Sequence, residues 1–305
     1  MSKETIAIDI GGTSIKGALV NEAAEISETM FADTPVELPA ILHVLTQMID
    51  ALQVKANNAS GVGICVPGIG RNGNLLTGGV LHALAGVNLR QQLKGKCSLP
   101  VGIDNDANAA TLAEQKFGMG QGVKTFGCVT VGTGIGSGLV INNELLRGNH
   151  GMAGEIGQTV IFSSADFHSG SASQNGATVD GLLRVYNSRS NQKTDSAQMV
   201  IKAAQKGDLI AQHAVKWTLA ALARTLTNLS LTIDPDLLII GGGISNNAWF
   251  IEQLKQQIKD DVYLNPDYQN LIFPEIVPAK FHNQAGMIGA MILGQAASAE
   301  AIIKH

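Results

Sequence analysis

The chain is short of charge, aromatic rings and cysteine. Of its 305 residues, 15% are charged and 4% aromatic, and the formal net charge is −4. That balance leaves no electrostatic footprint for nucleic acid or an anionic membrane. The three cysteines, Cys65, Cys97 and Cys128, lie far apart with no C-x-x-C pair. This argues against a disulfide framework and a thiolate zinc site, and it fits a reducing compartment. No run approaches the about 18 consecutive apolar residues of a membrane span. The opening Met1-Ser2-Lys3-Glu4-Thr5 carries charge but no apolar signal-peptide core. A cytoplasmic location without membrane or nucleic-acid partners is the expectation.

What is present is small and flexible: 45% hydrophobic residues and 35 glycines, without a G-X-Y period. At about 100–200 residues per domain, the length suits one large domain or two medium ones. The order of elements predicts mixed α/β structure. Residues 5–10 and 15–21 read as strands joined by a glycine turn, hence an antiparallel hairpin. Residues 39–54 place Ile41, Leu42, Leu45, Met48, Ile49 and Leu52 on one helical face. Strands are predicted over 61–66, 100–103, 125–131 and 237–240. Helices are predicted over 108–117, 196–206, 209–233 and 285–297, the third stopped by Asp234-Pro235. Residues 163–176 read as irregular. Glycines follow strands near residues 10, 132 and 241, a spacing that fits a duplicated domain holding a nucleotide between its halves. The glycines are expected mainly in turns.

Two common nucleotide signatures fail. The pair Gly95-Lys96 is followed by Cys97, so there is no Walker loop. The match Gly68-Ile69-Gly70-Arg71-Asn72-Gly73 opens no helix, and no acidic residue lies between Asp50 and Asp104. By contrast, Asp9-Ile10-Gly11-Gly12-Thr13-Ser14-Ile15-Lys16 sets a carboxylate at a strand end before bare backbone amides, a hydroxyl and a cation. Such a turn can approach phosphate oxygens closely, with Asp9 holding Mg²⁺ through its water shell and Lys16 serving the phosphates. The stretch 132–138, with Gly132, Thr133 and Gly134 leading, offers a second cradle. Gly241-Gly242-Gly243 offers a third, against an adenine or ribose. In Asp104-Asn105-Asp106, the carboxylate of Asp106 can accept a proton from an acceptor hydroxyl. The alternative for Asp104 and Asp106 is to end a strand or cap the next helix.

In this order, the loops resemble those of the sugar-kinase/actin/heat-shock ATPase superfamily, and most closely the ROK family of bacterial sugar kinases and repressors. The matching pieces are the 9–16 loop, Asp104-Asn105-Asp106-Ala107-Asn108-Ala109-Ala110, the 132–138 glycines, Gly151-Met152-Ala153-Gly154-Glu155-Ile156-Gly157 and Ala285-Gly286-Met287-Ile288-Gly289-Ala290. The resemblance implies an α/β, two-domain actin-like (ribonuclease H-like) ATPase fold with an interdomain cleft. Residues 1–112, completed by 285–305, would form the first domain and 113–284 the second. It implies ATP and Mg²⁺ as cofactors, a small-molecule sugar as partner and a homodimer. Asp106 would be the base, Asn105 and Glu155 would hold sugar hydroxyls, and Gly68 and Gly79 would let backbone approach the sugar.

The sequence departs from that family at one place. Where many members carry His after the Gly-Glu-x-Gly element, this chain has Gln158. Residues 163–178 contain neither the cysteines of the family's zinc loop nor its glutamate, and Asp166 with His168 is too few ligands for zinc. No zinc is therefore expected. A pocket without those groups would tolerate a substituent at the sugar's 1-position, which is similar to bacterial β-glucoside kinases. The expected activity is transfer of the γ-phosphoryl of ATP to the 6-hydroxyl of a glucose-type sugar such as the non-reducing glucose of cellobiose. Glucokinase or N-acetylmannosamine kinase is the alternative within the family. A sugar-sensing repressor is disfavoured, because the phosphate loop at residue 9 leaves no room before it for a DNA-binding domain. An actin-like scaffold would lack Asn105, Asp106 and Glu155.

Overall fold

The computed structural model describes residues 3–163 and 169–303. The chain divides into two compact units, residues 3–118 with 145–153 and 284–303, and residues 119–144 with 154–283. The expected boundary at residue 112 would cut a helix. The chain instead passes from one unit to the other after residues 118, 144, 153 and 283. Asp166 and His168, the pair weighed for zinc, lie outside the described residues.

The first unit opens with β1 (Glu4–Ile10), β2 (Ser14–Asn21) and β3 (Ile26–Asp33), an antiparallel meander in which Asp9 faces Lys16 across the first pair. Helix α1 (Leu38–Lys55) starts with Pro39 in its first turn, where the missing N–H costs nothing. It buries the six apolar residues expected of its face. Next come β4 (Ala59–Val66), the two-residue strands β5 (Gly70–Arg71) and β6 (Asn74–Leu75), α2 (Leu89–Leu93), β7 (Val101–Asn105) and α3 (Asp106–Phe117). The sheet order is β3-β2-β1-β4-β7, with β1, β4 and β7 parallel. The 68–73 glycine match is therefore a tight hairpin around Asn72 and Gly73, as the failed dinucleotide signature required.

The second unit contains β8 (Phe126–Val131), β9 (Ile135–Ile141), β10 (Glu144–Leu145), β11 (Val160–Ser163), β12 (Ser169–Ser171), α4 (Ala172–Gly176), a π-helical turn (Thr178–Leu183), α5 (Arg184–Arg189), α6 (Ala197–Gln205), α7 (Leu209–Ile233), β13 (Leu237–Gly241), α8 (Ala248–Leu264) and β14 (Glu275–Pro278). Its sheet runs β10-β9-β8-β13-β14, parallel from β8 through β14. Helix α7 is capped by the Asp208 side chain on Ala211 N and ends at Asp234, which takes a left-handed conformation before Pro235. Two expectations change here. The stretch read as irregular holds α4, whose Ser171 and Gln174 form a reciprocal capping box. The second glycine cradle is shorter than 132–138, because strand pairing resumes at Ile135.

The last element, α9 (Ala285–Ile303), returns to the first unit and packs on β1, β4, β7 and α3. It is the one helix among the described residues long and apolar enough to cross a membrane by length and composition, with a mean hydropathy of 1.4. Here it buries Met287, Ile288, Ala290, Met291 and Leu293 against protein. Its seat on the sheet is made backbone to backbone. A Cβ on Gly61 would stand 2.5 Å from the Gly294 carbonyl oxygen, and one on Gly63 or Gly102 would overlap the carbonyls of Ala290 or Leu293. Gly61, Gly63, Gly102 and Gly294 thus serve helix–sheet packing, beside the larger group of glycines that lies in turns and loops as expected.

Candidate active site

In the first unit, the C-terminal ends of the three parallel strands bring the candidate residues together. The register sets Asp9 beside Cys65 and Cys65 beside Asp104. The turn after β1 is closed by Gly11 N donating to Ser14 O at 3.0 Å. It is braced from β3's end, where Thr34 Oγ1 donates to Gly11 O at 2.7 Å and Thr34 N to Thr13 O at 3.1 Å. Gly12 and Thr13 remain exposed. The turn thus presents bare backbone to solvent while its ends are fixed.

Asp104 and Asn105 turn out to be builders of this strand end. Asp104 is buried and accepts from Asn105 N at 2.8 Å, Asn108 Nδ2 at 2.9 Å and Arg147 Nε at 2.7 Å. Asp104 has a structural part, though neither as strand end nor as helix cap: it lies inside β7, and Asn105 supplies the cap. Asn105 caps α3, its Oδ1 accepting from Ala107 N at 2.8 Å and Asn108 N at 3.3 Å. Its Nδ2 donates to Gly68 O at 2.9 Å. An asparagine amide has two acceptor sites and two donors, so one N–H is left for a ligand. Gly68 has φ +102°, open to glycine at little cost, and a side chain there would also overlap Thr77 O. Gly79 lies against Gly68.

Asp106 opens α3. Crowding by protein atoms and the nearby Asp9 carboxyl push its pKa up to about 6, against the pull of hydrogen bonds from Ala107 N–H and Asn105. Its surface is nonetheless exposed. The carboxyl therefore stands at an open face with dense protein behind it, and it is not sealed in the core. Burial also raises Asp9, offset by a hydrogen bond from Cys65 and the charge of Lys16. Cys65 Sγ lies 3.3 Å from Asp9 Oδ1, and burial followed by the Asp9 charge holds the thiol well above its usual value, hence protonated.

In the second unit, the loops after the neighbouring parallel strands β8 and β13 lie side by side, since Thr130 pairs with Gly241. Gly132 N donates to Gly134 O at 2.9 Å, and Thr178 anchors the turn by donating to Gly132 O from both its backbone and its hydroxyl. Gly242 has φ +82°, while His282 Nδ1 lies 3.4 Å from Ser245 Oγ beside that loop. A Cβ built on Gly132 or on Gly243 would meet nothing within 4 Å, and neither has positive φ. The fold itself does not ask for glycine at either place. Bare backbone beside open space at the ends of adjacent parallel strands fits a nucleotide.

Glu155 is half-buried and precedes the short turn Ile156–Gln158, and Gln158 is exposed. Both belong to the second unit, as do Gly132, Thr133, Gly134, Gly242 and Gly243. Asp9, Gly11, Gly12, Thr13, Lys16, Gly68, Gly79, Asn105 and Asp106 belong to the first. Among the described residues, no group of three or more His, Cys, Asp or Glu gathers as a metal cage. A single carboxylate such as Asp9 suits Mg²⁺ that keeps most of its waters. Sequence reasoning missed Cys65, Thr34, Thr178 and Arg147. Only Cys65 carried a readable signal, being next to the strand end that faces Asp9.

A family model described as ROK family matches residues 5–297. The β-glucoside kinase of Listeria monocytogenes is 30% identical over 290 residues, covering 93% of this chain and 95% of that protein. A ROK family protein from Streptococcus pneumoniae, solved in complex with sucrose, superposes with a TM-score of 0.85 at 28% identity, covering 98% of this chain and 99% of that one. A ROK family glucokinase from Streptomyces griseus, solved with glucose and AMPPNP, gives a TM-score of 0.81 at 25% identity, covering 96% and 99%.

Proposed function

The chain belongs to the ROK family and is a carbohydrate kinase of actin-like ATPase fold, and from that premise we propose that it transfers the γ-phosphoryl of ATP to the 6-hydroxyl of a glucose unit in a β-glucoside. The observation that carries the chemistry is the Asp9–Asp106 relationship. Two carboxyls stand at the ends of β1 and β7, and burial first, then the Asp9 charge, raises Asp106 to about 6. With that pKa, Asp106 is mostly ionised near neutral pH and still basic enough to take a proton. The acceptor O–H proton passes to Asp106 as the new O–P bond forms and the bond to the ADP oxygen breaks. Asn105 spends its remaining N–H on the sugar, and Gly68 and Gly79 admit it against backbone. Glu155 and Gln158 hold further hydroxyls.

Gly11, Gly12 and Thr13, with Lys16, take the phosphates on the first unit. Gly132, Thr133 and Gly134 form the second unit's own phosphate loop, and Gly242 with Gly243 its nucleoside loop. Asp9 would hold Mg²⁺ through water, and that ion, when bound, neutralises charge on the β- and γ-phosphates. Support for a glucoside acceptor comes from Gln158 in place of the family's histidine, and from residues 163–178 without cysteine or glutamate. The identity to the Listeria enzyme points the same way, and the sucrose bound to the pneumococcal protein, whose glucose is α-linked, supports a substituent at the sugar's 1-position without favouring β linkage. Likeness to the glucokinase favours free glucose as the second reading.

A coupled ADP-release assay over cellobiose, gentiobiose, glucose, N-acetylmannosamine and fructose tests both. Higher kcat/KM on the β-linked disaccharides supports the proposal. Fast turnover of glucose or N-acetylmannosamine with none on disaccharides rejects it.

A further inference from the structure

Arg147 belongs to residues 145–153, which pack with the first unit although the chain on either side lies in the second. That stretch is pinned by two arginines. Arg71 Nη1 donates to Gly148 O at 2.9 Å and to Asn149 O at 3.1 Å, and Arg147 Nε donates to Asp104 Oδ2 at 2.7 Å. The second contact pairs an arginine side chain 35% exposed with a carboxylate only 6% exposed.

The other oxygen of that carboxylate is fully used. Asp104 Oδ1 receives Asn105 N and Asn108 Nδ2, one on either side of Asp106 in sequence. Asn108 Oδ1 is buried with no partner among the described residues, so Asp104 is this side chain's one anchor. Removing the arginine leaves a buried anion uncompensated at this junction, which drives the carboxylate to shift toward solvent and away from both groups that it holds. The end of β7 and the first turn of α3 then lose the grip that fixes the residue between them.

We infer that Arg147 is a positioning residue for phosphoryl transfer, holding the Asp106 carboxylate in place through Asp104. The inference rests on the kinase reading above, with Asp106 as its base. Arg147 makes no contact with the reacting atoms in this scheme. Its effect falls on kcat, because a base displaced by a fraction of an ångström still lets both substrates bind. The Asp104 charge, and not the arginine itself, does the damage once the pair is broken. A neutral amide at 104 keeps an oxygen for Asn105 N and Asn108 Nδ2, so it should repair part of the loss.

Arg147→Met, Asp104→Asn and the double variant are compared with the wild type, using the sugar that the wild-type enzyme turns over fastest. Circular dichroism melts confirm that each is folded at the assay temperature. Arg147→Met is expected to lower kcat roughly tenfold to a hundredfold, with KM for ATP and sugar within about twofold. Adding Asp104→Asn should then recover about fivefold or more of that kcat. Unchanged kcat with a lowered melting temperature makes the pair a structural brace and overturns the inference. So does a rise in sugar KM alone, which would place Arg147 on the substrate, or a kcat loss without recovery in the double variant. A wild-type enzyme that releases no ADP with any sugar overturns the kinase reading first, and this inference with it.

Discussion

Cys65 Sγ lies 3.3 Å from Asp9 Oδ1, on the neighbouring parallel strand in register with it. A buried thiol kept protonated by its surroundings is a donor and nothing else here. It steadies the charged form of a carboxyl that burial would otherwise neutralise. Cys65→Ala removes that donor, so the pKa of Asp9 rises further and its ionised form becomes scarcer at a given pH. The acidic limb of the activity profile should move to higher pH, and the Mg²⁺ concentration for half-maximal rate should rise several-fold. Cys65→Ser, which keeps a donor, should stay near wild type. A magnesium titration of all three at fixed ATP checks this.

Asp106→Asn preserves size and the acceptor for Ala107 N, which now bonds to Asp106 Oδ1 at 2.8 Å, but cannot take a proton. The kcat should fall by about 10²–10⁴. Nucleotide affinity, read by the fluorescence of a labelled ATP analogue, should change little. An equal loss in both would assign the residue to folding.

The pKa of Asp106 also has a pH signature with a definite sign. Below about pH 6 the base is protonated, so kcat/KM should drop about tenfold per unit on the acid side. For stability, the folded carboxyl holds its proton more tightly than the unfolded one, whose value is 3.8. Its contribution is thus fully favourable below about pH 4 and is lost as pH rises through about 6. Asp106→Asn should melt at the wild-type temperature or above it at pH 7.5, by no more than about 3 °C, because the carboxyl is exposed. The gain should disappear near pH 4. Melts across that range measure it.

The glycines divide into two testable groups. Gly243→Ala places its methyl in open space, so stability should stay within about 0.5 kcal/mol while KM for ATP rises. Gly63→Ala drives a methyl into the Ala290 carbonyl and should cost about 3 kcal/mol or more. Denaturant melts and ATP titrations of the two variants separate a glycine kept for a ligand from one kept for the fold.

Much of the fold was legible because local signals agreed with each other. The β1–β2 hairpin followed from two apolar runs around Gly11-Gly12, and α7 ends at Asp234-Pro235 as its sequence implied. Strand β3 was not legible: Ile26–Asp33 groups Ser27, Glu28 and Thr29 together and does not alternate, it lies at a sheet edge, and its burial pattern has no fully buried residue. Strand β9 was hidden inside a glycine motif, since Gly136 and Gly138 pair with β8 and do not sit in a loop. Helix α8 was passed over because only Phe250, Ile251, Leu254 and Ile258 are buried along 17 residues, eight of them polar or charged. At the candidate site, the strand-end carboxylates were visible as sequence. The division of labour between Asp104 as builder and Asp106 as exposed acid was not. It depends on Arg147, 43 residues away.

The packing of α9 by glycine contact on β4 and β7 has a consequence for how the protein is made. The first unit's sheet emerges early from the ribosome, but the helix that covers it comes only after the whole second unit has been synthesised. Until then, the Gly61, Gly63 and Gly102 face of that sheet has no cover, and the unit is completed by contacts of very long sequence separation. Such contacts are slow to form, and an uncovered apolar sheet invites aggregation. The second unit has no such dependence and can complete its core before α9 arrives. Folding should therefore run against the order of synthesis, with the later-made unit finishing first.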